Sequence, residues 1–83
     1  MNEFIAAINR AIENNDLVSM ICQFGIFKAI EGLHLEDFEK RDDGSIWIYV
    51  NNGNIYNLTG EPVCETSNAF HFYKDNQKVS FLF

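Results

Sequence analysis

The stretch SIWIYVNNGNIYNL, from Ser45 to Leu58, carries the clearest signal of local structure in the chain. β-Branched and aromatic residues fill both sides of Asn52-Gly53, the dipeptide that most favours a two-residue type I′ hairpin turn. The stretch therefore predicts an antiparallel hairpin. Its expected cross-strand pairs are Val50–Ile55, Tyr49–Tyr56, Ile48–Asn57 and Trp47–Leu58.

The two faces of this hairpin differ in chemistry, because successive strand residues point to opposite sides. One face is β-branched and consists of Ile46, Ile48, Val50 and Ile55. The other is mostly aromatic and consists of Trp47, Tyr49, Tyr56 and Leu58. We expect the β-branched face to pack against the core and the aromatic face to be partly open. The alternative is that the aromatic face is itself the core face, or a cross-strand ladder that stabilises the sheet.

A second hairpin is predicted in NAFHFYKDNQKVSFLF, from Asn68 to Phe83. A turn centred on Asp75-Asn76 gives the core pairs Phe72–Val79 and Phe70–Phe81. The residues expected to point outwards are His71, Tyr73, Lys78 and Ser80. The segment that joins the hairpins contains Pro62 and leaves room for a short edge strand near Val63-Cys64.

Two helices are predicted before the hairpins. The first runs from about Glu3 to Glu13, with Asn2 as its N-cap and Asn14-Asn15 at its end. Its apolar stripe contains Phe4, Ile5, Ile8, Ala11 and Ile12. The second is capped by Asp16 and runs to about Glu31, and Gly32 follows as a C-terminal cap.

The predicted second helix is apolar around most of its circumference. Such a helix is buried on several sides. It therefore either passes through the centre of the fold or forms an interface with another subunit. The residues expected to form that interface are Met20, Phe24 and Phe27.

These elements predict one α+β domain spanning residues 1–83. Its two N-terminal helices would pack on one face of a C-terminal antiparallel sheet of about four strands, built from the two hairpins. Residues 33–40 fit either a helical turn or a strand.

The composition bounds the partners of the chain. Twelve acidic residues stand against six basic ones, which gives a net charge of −6. Such a chain is repelled by nucleic acid and by anionic membranes and is attracted to basic protein surfaces. The sequence has no basic segment ahead of an apolar run, no membrane span and only two cysteines. We therefore expect a soluble cytoplasmic protein without a signal peptide.

An acidic segment and the aromatic face together form the predicted partner-binding surface. Electrostatic steering would come from Glu36, Asp37, Glu39, Asp42 and Asp43, and anchoring from Trp47, Tyr49 and Tyr56. The simpler interpretation of the carboxylates is a solvated surface that aids solubility.

Catalytic and metal-binding patterns are weak. The possible zinc ligands Cys22, His34, Cys64 and His71 match no ligand spacing. No local signature supports a nucleophile pair of Cys64 and His71. The chain has no phosphate-binding glycine loop, GxSxG or HExxH. We expect no enzymatic activity, no cofactor and no metal.

Two functional hypotheses follow. The first is a non-catalytic inhibitor that occludes a basic surface of a nucleic-acid-processing protein. The short, acidic, asparagine-rich and aromatic chain has a composition shared by many small phage-encoded inhibitors and toxin-immunity proteins, which is a likeness of composition only. An inhibitor of the anti-CRISPR, anti-restriction or nuclease-immunity type would fit. The alternative is a structural or regulatory subunit that forms a homo-oligomer, such as a homodimer, or docks through its apolar second helix.

Overall fold

The computed structural model describes residues 1–83 and contains one helix and seven strands. The elements are α1 (Asn2–Asn14), β1 (Leu17–Phe24), β2 (Phe27–Lys40), β3 (Ile46–Val50), β4 (Ile55–Leu58), β5 (Val63–Thr66), β6 (Ala69–Lys74) and β7 (Gln77–Leu82). All paired strands are antiparallel, in the order β4-β3-β2-β1-β7-β6-β5. The predicted α+β fold of two helices on about four strands is therefore wrong, and the domain is mostly β.

The predicted second helix is a β-hairpin. β1 and the first half of β2 are joined by a two-residue turn at Gly25-Ile26, and Phe24 pairs with Phe27 across it. Gly25 has φ +60°, which suits the first central position of a type II′ turn. β1 lies between β2 and β7, and an apolar run in a central strand cannot be told from a buried helix by its apolar positions alone. Asp16 and Gly32 therefore cap no helix.

β2 is a long strand that belongs to two parts of the sheet. Its first half pairs with β1 and its second half, from Leu35 onwards, pairs with β3. The register shifts between Leu35 and Asp37, which leaves Glu36 as the extra residue of a bulge. Residues 33–40 are thus strand, and the bulge lets β3 and β4 turn over the core.

The single helix fills the inner side of the sheet. Its buried residues are Phe4, Ala7, Ile8 and Ala11. The ring of Phe4 contacts four other phenylalanine rings at centroid distances of 5.0–6.0 Å, those of Phe70, Phe72, Phe81 and Phe83. The helix ends at Asn14 and Asn15, as predicted, and Asn15 has a left-handed conformation. Asn2 was wrongly predicted as the N-cap, because the helix begins one residue earlier, after Met1.

The β3–β4 hairpin exists, but its predicted register is wrong by one residue. The observed pairs are Ile46–Leu58, Trp47–Asn57, Ile48–Tyr56 and Tyr49–Ile55. The loop holds three residues, 51–53. The Gly53 N–H donates to the Val50 carbonyl to close a type I turn, and Gly53 itself has φ +86°. A shift of one residue exchanges the faces of β4. Tyr56 and Leu58 therefore lie on the core side, and Ile55 is exposed.

The predicted β6–β7 hairpin is confirmed, with Phe72 opposite Val79 and Phe70 opposite Phe81. The predicted edge strand is also present as β5. His71 and Ser80 are buried rather than exposed as predicted. The structure has no helix long and apolar enough to cross a membrane.

Candidate functional site

The most exposed apolar side chains surround the β1–β2 turn. Phe24 is 60%, Ile26 94% and Phe27 72% exposed. Ile30, three residues further along β2, is 66% exposed. We call these four residues, Phe24, Ile26, Phe27 and Ile30, the apolar hairpin. Phe24 and Phe27 share one face of the hairpin, whereas Ile30 lies on the other face. Large exposed apolar patches mark interaction sites on soluble proteins.

The topology explains why the apolar hairpin is uncovered. β2 is exposed at all six positions from Phe27 to Gly32, since β3 joins it only at Leu35. Cys22 and Ala29 continue the surface towards the core. Cys22 also borders a cleft of about 310 Å³, whose apolar wall includes Met20, Tyr56, Leu58, Phe72 and Val79.

Of the three residues predicted as a subunit interface, two lie in the apolar hairpin. Phe24 and Phe27 are neighbours across the turn, whereas Met20 is buried in the core. Met20 and Phe24 lie on the same face of β1, and they differ because this face leaves the core as the strand approaches the turn. Two of the three predicted interface residues are therefore accessible, and they lie on a hairpin and not on the predicted helix.

The second predicted surface is partly assembled on the outer face of β2 and β3. Asp37 pairs with Tyr49 and Glu39 pairs with Trp47, so these four residues share one face. We call them the acidic–aromatic face. The Tyr49 hydroxyl donates to the Glu39 carboxylate at 3.1 Å. The Arg41 guanidinium lies 4.1 Å from the Trp47 ring centroid and forms an ion pair with Glu39 at 3.1 Å. Both aromatic side chains are thus already in contact with polar groups of the same chain.

The remaining predicted partner-binding residues lie elsewhere. Glu36 is the bulge residue, and Asp42 lies exposed in the β2–β3 turn. Asp43 accepts hydrogen bonds from the Ser45 backbone N–H and hydroxyl, which lower the pKa of Asp43. Tyr56 is on the core side of β4, where its hydroxyl donates to Glu31 at 3.3 Å. Tyr56 therefore does not belong to the acidic–aromatic face.

A hydrogen-bonded chain of Glu65, His71 and Ser80 was missed by the sequence analysis. His71 Nδ1 lies 2.7 Å from the Ser80 hydroxyl, and His71 Nε2 is bonded to the Glu65 carboxylate. The hydrogen bond and the charge of His71 lower the pKa of Glu65. His71 and Ser80 are only 8% and 5% exposed, and neither lines a cleft. The predicted cross-strand register already pairs these two residues, so it contained the signal.

The cysteines and histidines do not form a reactive or metal-binding cluster. Cys64 pairs with Phe70 and His71 pairs with Val63, so Cys64 and His71 point to opposite faces of the sheet. A hydrogen bond to Glu3 raises the pKa of Cys64, and burial raises that of Cys22. No group of three or more histidine, cysteine or acidic residues is placed to hold a metal ion.

No family model, curated protein or solved structure matches this chain. The description of the chain as a phage inhibitor of the anti-CRISPR type is corrected accordingly. The fold is a mostly antiparallel sheet with one helix, and nothing in it or in the comparisons supports inhibition.

Proposed function

We propose that this protein is a non-catalytic protein-binding domain that engages its partner through the apolar hairpin. The observation that carries the proposal is the exposure of Phe24, Ile26, Phe27 and Ile30 at one end of the sheet. Burial of one such side chain contributes about 1.5–3 kcal/mol. A partner that covers several of them gains enough free energy to offset part of the entropic cost of association.

A comparison of two double variants tests this proposal. Ile26→Ser with Phe27→Ser removes apolar surface from the hairpin, while Ile55→Ser with Val63→Ser removes exposed apolar surface from the two outermost strands. The tagged proteins are used to capture binding proteins from a lysate of the source cells. We expect the hairpin variant to lose captured proteins that the control variant keeps. Equal capture by both variants, at equal folded fraction, contradicts the proposal.

A second candidate function is docking of the acidic–aromatic face on a basic protein surface, such as that of a nucleic-acid-handling protein. Its support is that the fold places Asp37 and Glu39 beside Trp47 and Tyr49 on one face. The contacts of Arg41 with this face weigh against it, because they reduce the local negative charge and cover part of Trp47. This function therefore ranks below binding through the apolar hairpin.

The second candidate is tested with an oligolysine peptide as the probe. Asp37→Asn with Glu39→Gln and the control Glu13→Gln with Asp16→Asn change the net charge equally, at different places. Docking on the face predicts that only the first pair weakens binding and flattens its salt dependence. Equal effects of both pairs would show that net charge alone attracts the peptide.

The proposal places the protein in the cytoplasm. Cys22 and Cys64 are free thiols, and the two residues lie on different strands without a disulfide between them. A reducing compartment keeps thiols in this state. The proposed binding function requires no cofactor.

A further inference from the structure

We infer that the partner of the apolar hairpin is a second copy of this chain, paired edge to edge along β2 from Phe27 to Leu33. The inference rests on the proposed function and names the partner of two residues of that surface, Phe27 and Ile30, since Phe24 lies on β1 and Ile26 in the turn. Two copies would be related by a two-fold axis, with Ile30 of each copy at the axis. Their sheets would then form one continuous antiparallel sheet.

The backbone of β2 has a free hydrogen-bonding edge at this place. The His34 carbonyl accepts from the Asn51 N–H at 3.0 Å, and the His34 N–H donates to the Asn51 side chain at 3.3 Å. Both backbone groups of His34 therefore point away from β1. In an antiparallel strand every second residue points the same way. Lys28, Ile30 and Gly32 consequently present their N–H and C=O groups at the open edge, since no strand pairs there before Leu35.

The other two edges of the sheet are less suited to strand addition. β4 and β5 have only four residues each. β5 follows Pro62 and has an irregular register between Cys64 and Thr66. Short strands, prolines and bulges are the features that protect sheet edges from pairing. The segment from Phe27 to Leu33 has none of these three features, although it carries the charged residues Lys28 and Glu31.

The symmetry of the pair restricts its register. A two-fold axis that makes two strands antiparallel is perpendicular to the sheet, so it keeps the outer face of each copy on the same side. Residues opposite each other must therefore come from the same face of the two copies. As a result, one residue at the centre of the pair lies opposite the same residue of the other copy. Three centres, Ala29, Ile30 and Glu31, pair at least five residues of the open edge in each copy, and centres at Lys28 and Gly32 pair three.

Only the centre at Ile30 gives a favourable set of pairs. It places the long Lys28 opposite Gly32 and the long Glu31 opposite Ala29. Ile30 meets Ile30 at the axis. Leu17 already covers Gly32, since its Cδ1 lies 3.2 Å from the position of a Cβ on Gly32, so the aliphatic part of Lys28 would pack against Leu17. Each charged side chain thus faces a small residue, and the remaining pairs, Ile30–Ile30 and Phe27–Leu33, are apolar.

The other centres are unfavourable. A centre at Lys28 places two ammonium groups opposite each other, and a centre at Glu31 does the same with two carboxylates. A centre at Ala29 places Phe27 opposite Glu31. The ladder centred on Ile30 ends with Phe27 opposite Leu33, because the next backbone position, at His34, is already bonded to Asn51.

The experiment uses the full chain and two variants with opposite charges at the axis. Wild-type protein is expected to form dimers in sedimentation velocity and native mass spectrometry at submillimolar concentration. Ile30→Lys and Ile30→Glu each place like charges opposite each other and remove apolar contact, so each should dimerise at least about tenfold more weakly. A mixture of the two variants should form a heterodimer, since residue 30 meets itself only in this register. Homodimers of Ile30→Lys as stable as wild type overturn the inference, as does a mixture that stays monomeric.

A second pair of variants separates backbone pairing from apolar contact. The Ile30 N–H points to solvent in the monomer, where proline is tolerated on an edge strand. Ile30→Pro should abolish dimers, whereas Ile30→Thr keeps the N–H and should retain weaker ones. Circular dichroism verifies that all variants are folded. If wild type is monomeric and the apolar hairpin is needed to capture other proteins, the inferred dimer is wrong and the proposed function stands. Monomeric wild type with no such capture overturns both.

Discussion

At the scale of single residues, the hydrogen bond between Glu65 and His71 makes stability depend on pH. The pKa of Glu65 is lowered in the folded state, first by this hydrogen bond and then by the charge of His71. A depressed folded pKa gives stability that is present above the unfolded pKa of about 4.3 and is lost as the pH falls through the folded value. We expect the unfolding free energy of wild type to fall more steeply below about pH 5 than that of Glu65→Gln.

Denaturant unfolding at several pH values measures this difference. The control is the same substitution in a His71→Gln background, where the coupling partner is absent. Glu65→Gln should then change the pH dependence much less. An equal change in both backgrounds would show that the effect does not come from His71.

The carboxylate of Glu3 raises the pKa of Cys64, and we expect it to lower the reactivity of this thiol. The hydrogen bond to Glu3 and its negative charge both raise the pKa of Cys64, so the reactive thiolate is scarce at mildly alkaline pH. In a Cys22→Ser background, Glu3→Gln should speed alkylation of Cys64 by iodoacetamide severalfold at constant pH. Glu13→Gln, at the far end of the same helix, should leave the rate unchanged. A rate that is insensitive to Glu3→Gln would contradict the contact.

At the scale of elements, one side chain fixes the helix to the sheet. Phe4 is fully buried and its ring contacts rings from both β6 and β7. Phe4→Ala should lower the free energy of unfolding by about 3–5 kcal/mol, because it leaves a cavity that the surrounding rings cannot fill. Domains of this size have only about 5–15 kcal/mol in total. Asn9→Ala, on the exposed side of the same helix, should change stability by less than about 0.5 kcal/mol in chemical denaturation.

Two elements could be predicted from the sequence because their local signals agree with their environment. The first helix has a helical apolar period, and its observed ends lie within one residue of those predicted. In the β6–β7 hairpin apolar core residues such as Phe70 and Phe72 alternate with other residues along the sequence, and the predicted register was correct. In the helix one face is buried and one is not. In the hairpin His71 and Ser80 on the second face are buried as well, so the alternation gave the register but not the exposure.

The β1–β2 hairpin could not be predicted from its apolar positions. β1 has neighbouring strands on both sides, and the beginning of β2 is apolar although it is exposed. Neither segment therefore shows a clear period of apolar residues. Gly25 followed by Ile26 was the available signal for a two-residue turn. At Asn52-Gly53 the turn was recognised, but the choice between a two-residue and a three-residue loop depends on how β4 packs. That choice placed Tyr56 on the core side.

At the scale of the whole molecule, β2 connects two different surfaces. Its first residues carry the apolar hairpin, and its last residues carry Asp37 and Glu39 of the acidic–aromatic face. The sequence indicated the composition of both surfaces. The exposure of the hairpin depends on the residue at which β3 joins β2, which is a tertiary feature without a local signal.

The net charge of the molecule gives the two proposed modes of binding opposite salt dependence. Two copies that each carry −6 repel one another at long range, while the edge pair itself is held by backbone hydrogen bonds and by apolar contact at Ile30. Salt screens this repulsion, with a Debye length that falls from about 30 Å at 0.01 M to about 8 Å at 0.15 M. We therefore expect the dimer dissociation constant to fall over this range, as measured by sedimentation equilibrium. Glu13→Gln with Asp16→Asn, away from the edge, should make the dependence flatter. A dimer that dissociates as salt rises would instead indicate association through opposite charges, and would contradict pairing at the β2 edge.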